Sequence, residues 1–285
     1  MSEFKPKIVL ITGCSSGFGM LTAVKLSNNR EYHVFATMRN LDKKEDLVTR
    51  VQEQGGHVDI LELDVTKKNT IENAVNYIKD KHGYIDVLVN NAGFGIGGCF
   101  EDLSEQEIRN QFEVNFFGVQ QVTRMCLRLM HGNGNSKIIN ISSIAGLIGY
   151  PGLGAYNSSK WALEGFSESL RHELLQFGIQ VLLVEPGSFQ TKIFEDNARF
   201  AGNMYNKESK YYDYSQRLIE KRQKSLKKIR GKPEHVADLI IKLIKKKKPA
   251  FRTVIGKDAK LQLFAKKILP YKILEYIMKR IMFRK

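Results

Sequence analysis

The chain has 285 residues, of which 42% are hydrophobic, and this length and composition favour one large domain with a substantial core. Its three cysteines, Cys14, Cys99 and Cys126, are widely spaced, so neither a disulfide framework nor a zinc site is predicted, and the reducing cytoplasm is the expected compartment. No run reaches the roughly 18 uncharged apolar residues that a membrane span needs. The formal net charge of +15 is compatible with binding to nucleic acids or anionic membranes but establishes neither.

Short runs rich in β-branched residues alternate with longer helical patterns along the first two thirds of the chain. The predicted strands are residues 8–12, 33–38, 58–63, 85–90, 137–141 and 180–185. This alternation predicts repeated βαβ units and therefore an α/β fold with a parallel sheet. Right-handed crossovers make such a sheet doubly wound, and ligands then bind beyond the carboxyl ends of its strands.

A glycine-rich turn follows the first predicted strand and opens a helix. Its sequence is Thr12-Gly13-Cys-Ser-Ser-Gly17-Phe-Gly19. Glycines let the backbone approach a pyrophosphate closely, and a helix N-terminus offers unpaired N–H groups with a partial positive charge. Three glycines in so short a stretch also occur in ordinary tight turns, but the position between a strand and a helix favours phosphate binding.

The end of the second predicted strand bears on the choice between NAD and NADP. The residues there are Thr37-Met38-Arg39, without the carboxylate that would bind a ribose 2′-hydroxyl. Arg39 can offer a two-pronged guanidinium group to a 2′-phosphate, so NADP(H) is predicted over NAD(H). The alternative is a solvated arginine on a loop.

Tyr156 and Lys160 are four residues apart in a predicted helix and therefore share one face. A free tyrosine, with a pKa of about 10, is almost entirely protonated at neutral pH, and a fixed cation nearby would stabilise the phenolate. The pair alone is common on exposed helices. Two further segments make it more specific: Ser143 in Ser142-Ser143-Ile-Ala-Gly146, and Asn115 in Val114-Asn115-Phe-Phe-Gly118.

These motifs together resemble the short-chain dehydrogenase/reductase family. The glycine turn matches the family pattern T-G-x-x-x-G-x-G, and Leu63-Asp64-Val65, Asn90-Asn91-Ala92-Gly93 and Pro186-Gly187 follow later strands in the family order. The resemblance covers residues 7 to about 195 and is nearest to the hydroxysteroid and retinol dehydrogenase branch. It implies a Rossmann-type fold and an NAD(P)-dependent oxidoreductase that interconverts an alcohol and a carbonyl by hydride transfer.

The resemblance also implies roles for the catalytic residues. Tyr156 would act as general acid and base, and Lys160 would hold the nicotinamide ribose and lower the pKa of the tyrosine. Ser143 would form a hydrogen bond with the substrate oxygen, on which negative charge develops. Asn115 would anchor a water molecule that links Lys160 to solvent in a proton relay.

A larger set of residues is implied for cofactor binding. Asp64 and Val65 would flank the adenine, Asn91 would support the sheet near the ribose, and Pro186-Gly187 with Thr191 would contact the nicotinamide carboxamide. The full set is Thr12, Gly13, Ser15, Ser16, Gly17, Phe18, Gly19, Arg39, Asp64, Val65, Asn91, Ala92, Gly93, Tyr156, Lys160, Pro186, Gly187 and Thr191. No metal site is predicted, because the six histidines are dispersed without neighbouring ligands at metal-binding spacing.

Residues 188–231 interrupt the alternation and are predicted to form a lid over the substrate. The large apolar and aromatic residues of this segment are Phe189, Ile193, Phe194, Phe200, Met204, Tyr205, Tyr211, Tyr212 and Tyr214. They favour a lipophilic substrate, with ordinary core or a subunit contact as the alternative. A helix from Pro233 to about Lys246 and a strand at 252–255 then complete a dehydrogenase domain at residues 1–256.

The remaining residues, 257–285, are predicted to form a basic amphipathic extension. Residues 256–285 hold nine lysines and arginines against Asp258 and Glu275, a net charge of +7. Apolar residues recur near helical spacing on both sides of Pro270, namely Leu261, Phe264, Ile268, Ile273, Ile277 and Ile281. Such helices bind an anionic membrane surface peripherally or pack their apolar stripe on the parent domain.

Two competing functions remain. A non-catalytic NADP-binding regulatory protein would be expected to lose Tyr156 or Lys160, and both are present. A nucleic-acid-binding protein would need a base-reading module that the sequence does not show. The resemblance further implies a dimer or tetramer formed through the helices that contain Asn115 and Tyr156. The identity of the substrate and the physiological direction of the reaction stay open.

Overall fold

The computed structural model describes residues 5–191, 198–226 and 231–283. The strands are β1 (Lys7–Ile11), β2 (Tyr32–Met38), β3 (Asp59–Glu62), β4 (Val87–Asn90), β5 (Gly95–Gly97), β6 (Lys137–Ile141), β7 (Gln180–Pro186), β8 (Ala198–Phe200) and β9 (Arg252–Ile255). The helices are α1 (Gly17–Leu26), α2 (Glu45–Glu53), α3 (Lys68–His82), α4 (Glu105–Phe112), α5 (Gly118–Met130), α6 (Gly154–Leu174), α7 (Tyr212–Leu226), α8 (Glu234–Lys245), α9 (Lys257–Ile268) and α10 (Tyr271–Phe283).

Seven parallel strands form one sheet in the order β3-β2-β1-β4-β6-β7-β9. This order confirms the predicted doubly wound, Rossmann-type sheet. The chain leaves the sheet centre in opposite directions at β1 and β4, which creates a crevice beyond their carboxyl ends where such folds bind ligands. The six strands predicted up to residue 185 are all present, with bounds that differ by one or two residues.

Helices cover both faces of the sheet, and each face has its own hydrophobic core. Along β1, Val9 and Ile11 contribute to one core, whereas Ile8 and Leu10 contribute to the other. Alternate side chains of a strand point to opposite faces, so a strand covered on both sides is apolar throughout. This explains why the strand sequences are apolar runs without polar alternation.

The segment predicted as an irregular lid contains regular structure. In its described part, β8 pairs with β5, a short turn spans Gly202–Tyr205, and α7 follows. Helix α7 was not predicted because lysines, arginines and other polar residues interrupt any apolar periodicity in its sequence. Met204, 2% exposed, belongs to a small third core together with Ile96, Leu103, Ala155 and Ala201.

The aromatic residues of this segment do not act as one group. Phe189 is buried in a main core, where its ring meets that of Phe18 at 5.9 Å between centroids, whereas Tyr205 is exposed. Ile193 and Phe194 lie outside the described residues. Part of the predicted lid surface is therefore ordinary core.

Three histidines that are far apart in the sequence meet at the β3 edge of the sheet. His33 and His57 lie 2.8 and 3.5 Å from the carboxylate of Asp59, and the rings of His33 and His82 are 4.7 Å apart. Burial lowers the pKa of His82. Within the described ranges, no group of three potential ligands is arranged to hold a metal ion.

Candidate active site

The turn after β1 is attached to the turn after β4 by a set of short hydrogen bonds. The hydroxyl of Thr12 accepts from the backbone N–H groups of Asn91 and Ala92, both at 3.0 Å. The side-chain amide of Asn91 donates in return to the carbonyl oxygens of Thr12 and Gly13, both at 2.9 Å. The predicted support role of Asn91 thus has a geometric basis, because it holds the glycine turn against the sheet.

The conformation of the turn after β1 requires glycine at three positions. Gly13 and Gly17 have positive φ angles of +74° and +62°, a region that side-chain-bearing residues rarely adopt. A Cβ at Gly19 would lie 2.4 Å from the side-chain nitrogen of Asn91 and 2.7 Å from the carbonyl oxygen of Gly13. Any side chain there would push the two turns apart.

The start of α1 presents hydrogen-bond donors to this crevice. Ser16 precedes the helix with an extended backbone and no side-chain cap, and Ser15 and Phe18 lie in the same turn. The hydroxyl of Thr191 is buried near Gly17 and has no hydrogen-bond partner among the described residues. Free N–H groups at a helix N-terminus and an unpartnered buried hydroxyl fit a pyrophosphate-containing cofactor.

Further cofactor-site candidates stand at the ends of β2 and β3. Arg39 is exposed directly after β2, and no ion pair of its side chain is found in the described part of the chain. Asp64 accepts from both the backbone and the hydroxyl of Thr66, and Val65 is buried beneath Gly118 of α5. The parallel strands bring these residues to the edge that also holds the glycine turn.

Asn115 lies in a π-helical turn, Glu113–Phe117, that joins α4 to α5. Its side chain is fully buried and forms a pair of hydrogen bonds with the backbone of Phe94, at 3.1 Å to the N–H and 3.0 Å to the carbonyl oxygen. It also donates to the hydroxyl of Ser159 at 3.2 Å. A π-turn shifts the residues that a helix presents, and here it directs an asparagine into the core beside α6.

Tyr156 and Lys160 lie on the buried face of α6, with 8% and 5% of their surfaces exposed. The ammonium of Lys160 donates to the carbonyl oxygen of Ile141 at 2.9 Å, at the end of β6, and lies 5.9 Å from the centroid of the Tyr156 ring. A Cβ at Gly93 would come within 3.8 Å of that ammonium and 3.2 Å of the Asn115 side-chain oxygen. The structure therefore brings Gly93, Asn115, Tyr156 and Lys160 together.

Ser143 completes this group from the turn after β6. Its hydroxyl accepts from the N–H of Ala145 at 3.1 Å, which holds the short turn Ile144–Gly146 in place. Burial raises the pKa of Tyr156, and a hydrogen bond with Ser143 partly opposes that rise. The hydroxyl groups of Ser143 and Tyr156 are therefore close enough to contact the same substrate oxygen.

The expected lowering of the Tyr156 pKa by Lys160 is not seen in the protein alone. Burial dominates at the tyrosine, which is therefore a phenol at neutral pH. Burial also lowers the pKa of Lys160 to about 8, with the charge of Glu164 opposing the decrease. The physical reason is that the ammonium is directed to the carbonyl oxygen of Ile141 rather than to the phenol oxygen.

The turn after β7 is tied to the first turn of α9. The carboxylate of Asp258 accepts from the N–H of Ser188 at 2.8 Å, and a Cβ at Gly187 would lie 2.5 Å from it. Pro186 ends β7, and Gly187 donates to the carbonyl oxygen of Ile255 at 2.8 Å. The C-terminal extension is therefore joined at its start to the turn that holds the predicted nicotinamide contacts.

Sequence reasoning missed a buried charged cluster next to this site. Glu164, one turn after Lys160, and Glu185 of β7 are 6% and 1% exposed and both bind the guanidinium of Arg252. Burial raises the pKa of Glu164 to about 7 and also raises that of Glu185. The Ser142 hydroxyl and Arg252 oppose this rise at Glu164, so the net effect is that the pair takes up a proton at a higher pH than exposed glutamic acids do. The 88-residue separation of Glu164 and Arg252 left no local signal.

Comparison with known proteins places these features in context. The family model described as short chain dehydrogenase matches residues 7–201. The chain is 43% identical over 97% of its length to an uncharacterized oxidoreductase, YusZ, of Bacillus subtilis, of which it covers 99%. It is 39% identical to a 3-ketodihydrosphingosine reductase of Bacteroides thetaiotaomicron, with 96% of this chain and 97% of the relative covered. Retinol dehydrogenase 8 of Bos taurus is 37% identical, with 87% and 80% covered.

Solved structures show the same fold over nearly the whole chain. A short-chain dehydrogenase from Streptomyces avermitilis superposes with a TM-score of 0.80 at 32% identity, and 97% of this chain and 96% of that chain are covered. A short-chain dehydrogenase/reductase from Burkholderia phymatum, solved in complex with NAD, has a TM-score of 0.79 at 25% identity with the same coverage. The likeness thus extends well beyond the residues that the family model matches.

Proposed function

The chain belongs to the short-chain dehydrogenase family and is an NAD(P)-binding oxidoreductase that acts on CH–OH groups, and we propose that it uses NADP(H) to interconvert a lipophilic alcohol and its ketone or aldehyde. The observation that carries the proposal is the group formed by the buried Asn115, Tyr156 and Lys160 and the half-buried Ser143, near the glycine turn. No comparison favours the non-catalytic alternative.

The proposed chemistry assigns one task to each of these side chains. The cofactor, when bound, supplies or accepts the hydride. In the reduction direction the Tyr156 phenol donates its proton to the substrate oxygen, and its raised pKa keeps that proton in place at neutral pH. The Ser143 hydroxyl stabilises the negative charge that develops on the same oxygen. Lys160 contributes a fixed positive charge, held by the Ile141 carbonyl oxygen.

Asn115 and its hydrogen-bond partners hold the catalytic residues in position. The paired hydrogen bonds between Asn115 and the backbone of Phe94 fix the chain after the Asn91-Ala92-Gly93 turn, and the bond to Ser159 fixes the helix that holds Tyr156 and Lys160. The predicted water relay from Lys160 through Asn115 stays part of the proposal. The remaining cofactor residues, from Thr12 to Thr191, are proposed in the roles that the family resemblance implies.

The preference for NADP(H) rests on Arg39. Its exposed side chain follows β2 where no carboxylate stands to bind a ribose 2′-hydroxyl. A guanidinium group matches a 2′-phosphate in geometry and charge. The Burkholderia phymatum relative was solved with NAD, so the preference of this chain has to be measured.

The lipophilic substrate is supported by the residues next to the catalytic group and by two relatives. Ala155, adjacent to Tyr156, packs in the third core with Met204 and the partly buried Phe200. The proposed lid, residues 188–231, thus provides apolar surface close to the tyrosine. The names of two relatives, 3-ketodihydrosphingosine reductase and retinol dehydrogenase 8, refer to lipid substrates.

We also propose that the enzyme is a dimer or tetramer formed through the helical segments that contain Asn115 and Tyr156, namely the π-turn that leads into α5 and helix α6. A groove of about 580 Å³ is lined by α4, the π-turn and the chain before them, including the aromatic rings of Phe100, Phe112 and Phe117. Phe100 and Phe117 are 77% and 43% exposed, which a contact with a second copy would reduce.

Peripheral contact of residues 257–285 with a membrane is part of the proposal. In the described ranges, no helix is long and apolar enough to cross a bilayer. A peripheral contact would therefore have to be made at the membrane surface, by α9 and α10.

The test is the loss of NADPH absorbance with a panel of lipophilic ketones and aldehydes, for the intact protein and for Tyr156→Phe. We expect turnover that the variant loses by about 10²- to 10⁴-fold while its NADPH binding persists, because only the proton donor is removed. Tyr205→Phe is the matched control, since the same hydroxyl is removed from an exposed ring. Equal turnover in Tyr156→Phe would contradict the assigned role, and tight NADPH binding without turnover across the panel would favour the regulatory alternative.

A further inference from the structure

The two C-terminal helices expose an unusual share of the large apolar side chains. Sixteen such side chains are exposed in the part of the chain that the structure describes, and half of them lie within residues 261–281. They are Leu261, Phe264, Ile268, Tyr271, Ile273, Tyr276, Ile277 and Ile281. A concentration of this kind marks a contact surface.

The orientation of α9 shows that this surface faces away from the domain. Ala259 is fully buried, Gln262 accepts a hydrogen bond from the hydroxyl of Tyr150, and Lys266 donates to the carbonyl oxygen of Leu147. The opposite face of α9 carries Leu261, Phe264 and Ile268, which are 60–68% exposed. The apolar stripe is therefore not the face by which α9 packs on the domain.

The charge of these helices indicates what covers the stripe. Residues 256–285 have a net charge of +7, and Lys257, Lys260 and Lys272 form no ion pair with any described residue. Two copies of this surface would repel each other, whereas an anionic lipid surface has the complementary charge. Apolar residues on one face with lysines beside them are typical of helices that lie in a membrane interface.

The single tryptophan of the chain lies beside α9, on the side by which that helix packs on the domain. Trp161 is 48% exposed, and the ammonium of Lys266 lies 4.8 Å from its ring centroid. Tryptophan and tyrosine rings favour the headgroup level of a bilayer, where their apolar and polar parts are both accommodated. Tyr271 and Tyr276, which are 80% and 60% exposed, would occupy that level if α9 and α10 lay on a membrane, and Trp161 is near enough to α9 to report the binding.

The extension also borders the catalytic residues. Tyr150 and Leu147, which contact α9, lie in the loop between Ser143 and Tyr156. At its other end, α10 is bound to α7 through Lys221 and the carbonyl oxygen of Ile281. The extension is therefore joined to both the catalytic loop and the proposed lid, and a surface bound to its outer face would lie one helix away from them.

We propose that α9 and α10 form an interfacial anchor that binds an anionic lipid surface through Leu261, Phe264 and Ile268, and that the enzyme takes its substrate from that surface. The second part rests on the proposed function, whereas the first does not. Binding to lipid and turnover of a carbonyl compound are therefore measured separately.

Binding is tested with the full chain and sedimented vesicles of phosphatidylcholine that contain about one third phosphatidylglycerol. We expect binding at low salt with a change in the emission of Trp161, and about tenfold weaker binding in high salt or to phosphatidylcholine alone. The variant Leu261→Gln/Phe264→Gln/Ile268→Gln should bind at least about tenfold less. Leu175→Gln is the control, because Leu175 is equally exposed, at 61%, beyond the far end of α6.

The turnover arm compares a long-chain ketone held in the same vesicles with a short, water-soluble ketone. The triple variant should lose about tenfold on the vesicle-held ketone and retain its rate on the soluble one. Wild-type protein that stays in the supernatant, or a triple variant that sediments equally well, would overturn the anchor. So would a change of the triple variant to a smaller oligomer without vesicles, which would show that a second copy covers the stripe. Binding without any carbonyl turnover would support the anchor and contradict the proposed function.

Discussion

The cofactor crevice and the C-terminal segment, residues 198–226 and 231–283, are built from different kinds of group. In the crevice, short polar side chains and backbone atoms determine the shape: the side chain of Asn91 closes on the carbonyl oxygens of Thr12 and Gly13 at 2.9 Å, and Asn115 pairs with the backbone of Phe94. In the C-terminal segment, large apolar and long basic side chains dominate, and many remain exposed.

This difference indicates what each region recognises. Backbone groups held at fixed distances suit a ligand with invariant geometry, such as a dinucleotide. Exposed apolar side chains next to lysines suit partners or substrates that vary in shape. Substitutions in the crevice should therefore have large and specific effects, and those in the C-terminal segment should have smaller ones that depend on substrate and salt.

After Tyr156→Phe, the largest expected effect is that of Ser143→Ala. Removal of this hydroxyl removes a donor to the developing oxyanion, so kcat should decrease by about 10²- to 10³-fold. The variant loses the hydrogen bond from Ala145 N–H but keeps the one from Gly146 N–H to the Ser143 carbonyl oxygen, at 2.9 Å, so the turn should persist and the affinity for NADPH should change little. Ser142→Ala is the neighbouring control, because the Ser142 hydroxyl is buried and acts on Glu164 rather than on Tyr156. Equal losses in the two variants would show that the turn, rather than the Ser143 hydroxyl, is what matters.

Gly19→Ala should have the next largest effect, on cofactor affinity. The new Cβ would lie 2.4 Å from the Asn91 side-chain nitrogen, so the two turns must separate. We expect the Kd for NADPH to rise by about 10- to 100-fold, which corresponds to the loss of one or two hydrogen bonds to a charged ligand. The Kd is measured by titrating the protein with NADPH and following the fluorescence. Gly202→Ala, where a Cβ meets no atom within 4 Å, is the control and should leave the Kd unchanged.

Arg39→Glu should shift the cofactor preference. The loss of a guanidinium fork and the introduction of a carboxylate should raise the KM for NADPH by at least about tenfold and leave the KM for NADH equal or lower. Arg30→Glu, at an exposed position before β2, is the control for the change in net charge. Parallel changes for both cofactors would mean that Arg39 does not read the 2′-phosphate.

The same contrast between the regions explains how far sequence reasoning reached. The strand positions, the glycine turn and the spacing of Tyr156 and Lys160 are local patterns, and each predicted element at these places is present. The π-turn around Asn115 and helix α7 were not predicted, because neither has a periodic apolar pattern of its own. The cluster of Glu164, Glu185 and Arg252 exists only through the order of the strands.

That cluster joins the two regions, and its protonation should be visible in stability. The pKa of Glu164 is raised by burial to about 7, so its contribution to stability is complete below the ordinary range of a glutamic acid and is lost as pH rises through 7. Glu164→Gln keeps a neutral, similarly shaped group, and the decrease in Tm of the wild type between about pH 5 and 8 should become smaller by about a few degrees.

Glu168→Gln is the matched control for this variant. Glu168 also binds Arg252, at 2.9 Å, but is 56% exposed, so its removal changes the same charge without the burial. We expect its Tm curve to remain parallel to that of the wild type across this pH range. If Glu164→Gln were also parallel, the buried pair would not retain its proton, and the charge of Arg252 would have to stabilise two ionised carboxylates next to the catalytic helix. In that case a full negative charge would stand one turn from the Lys160 ammonium, where it opposes the lowering of the Lys160 pKa by burial.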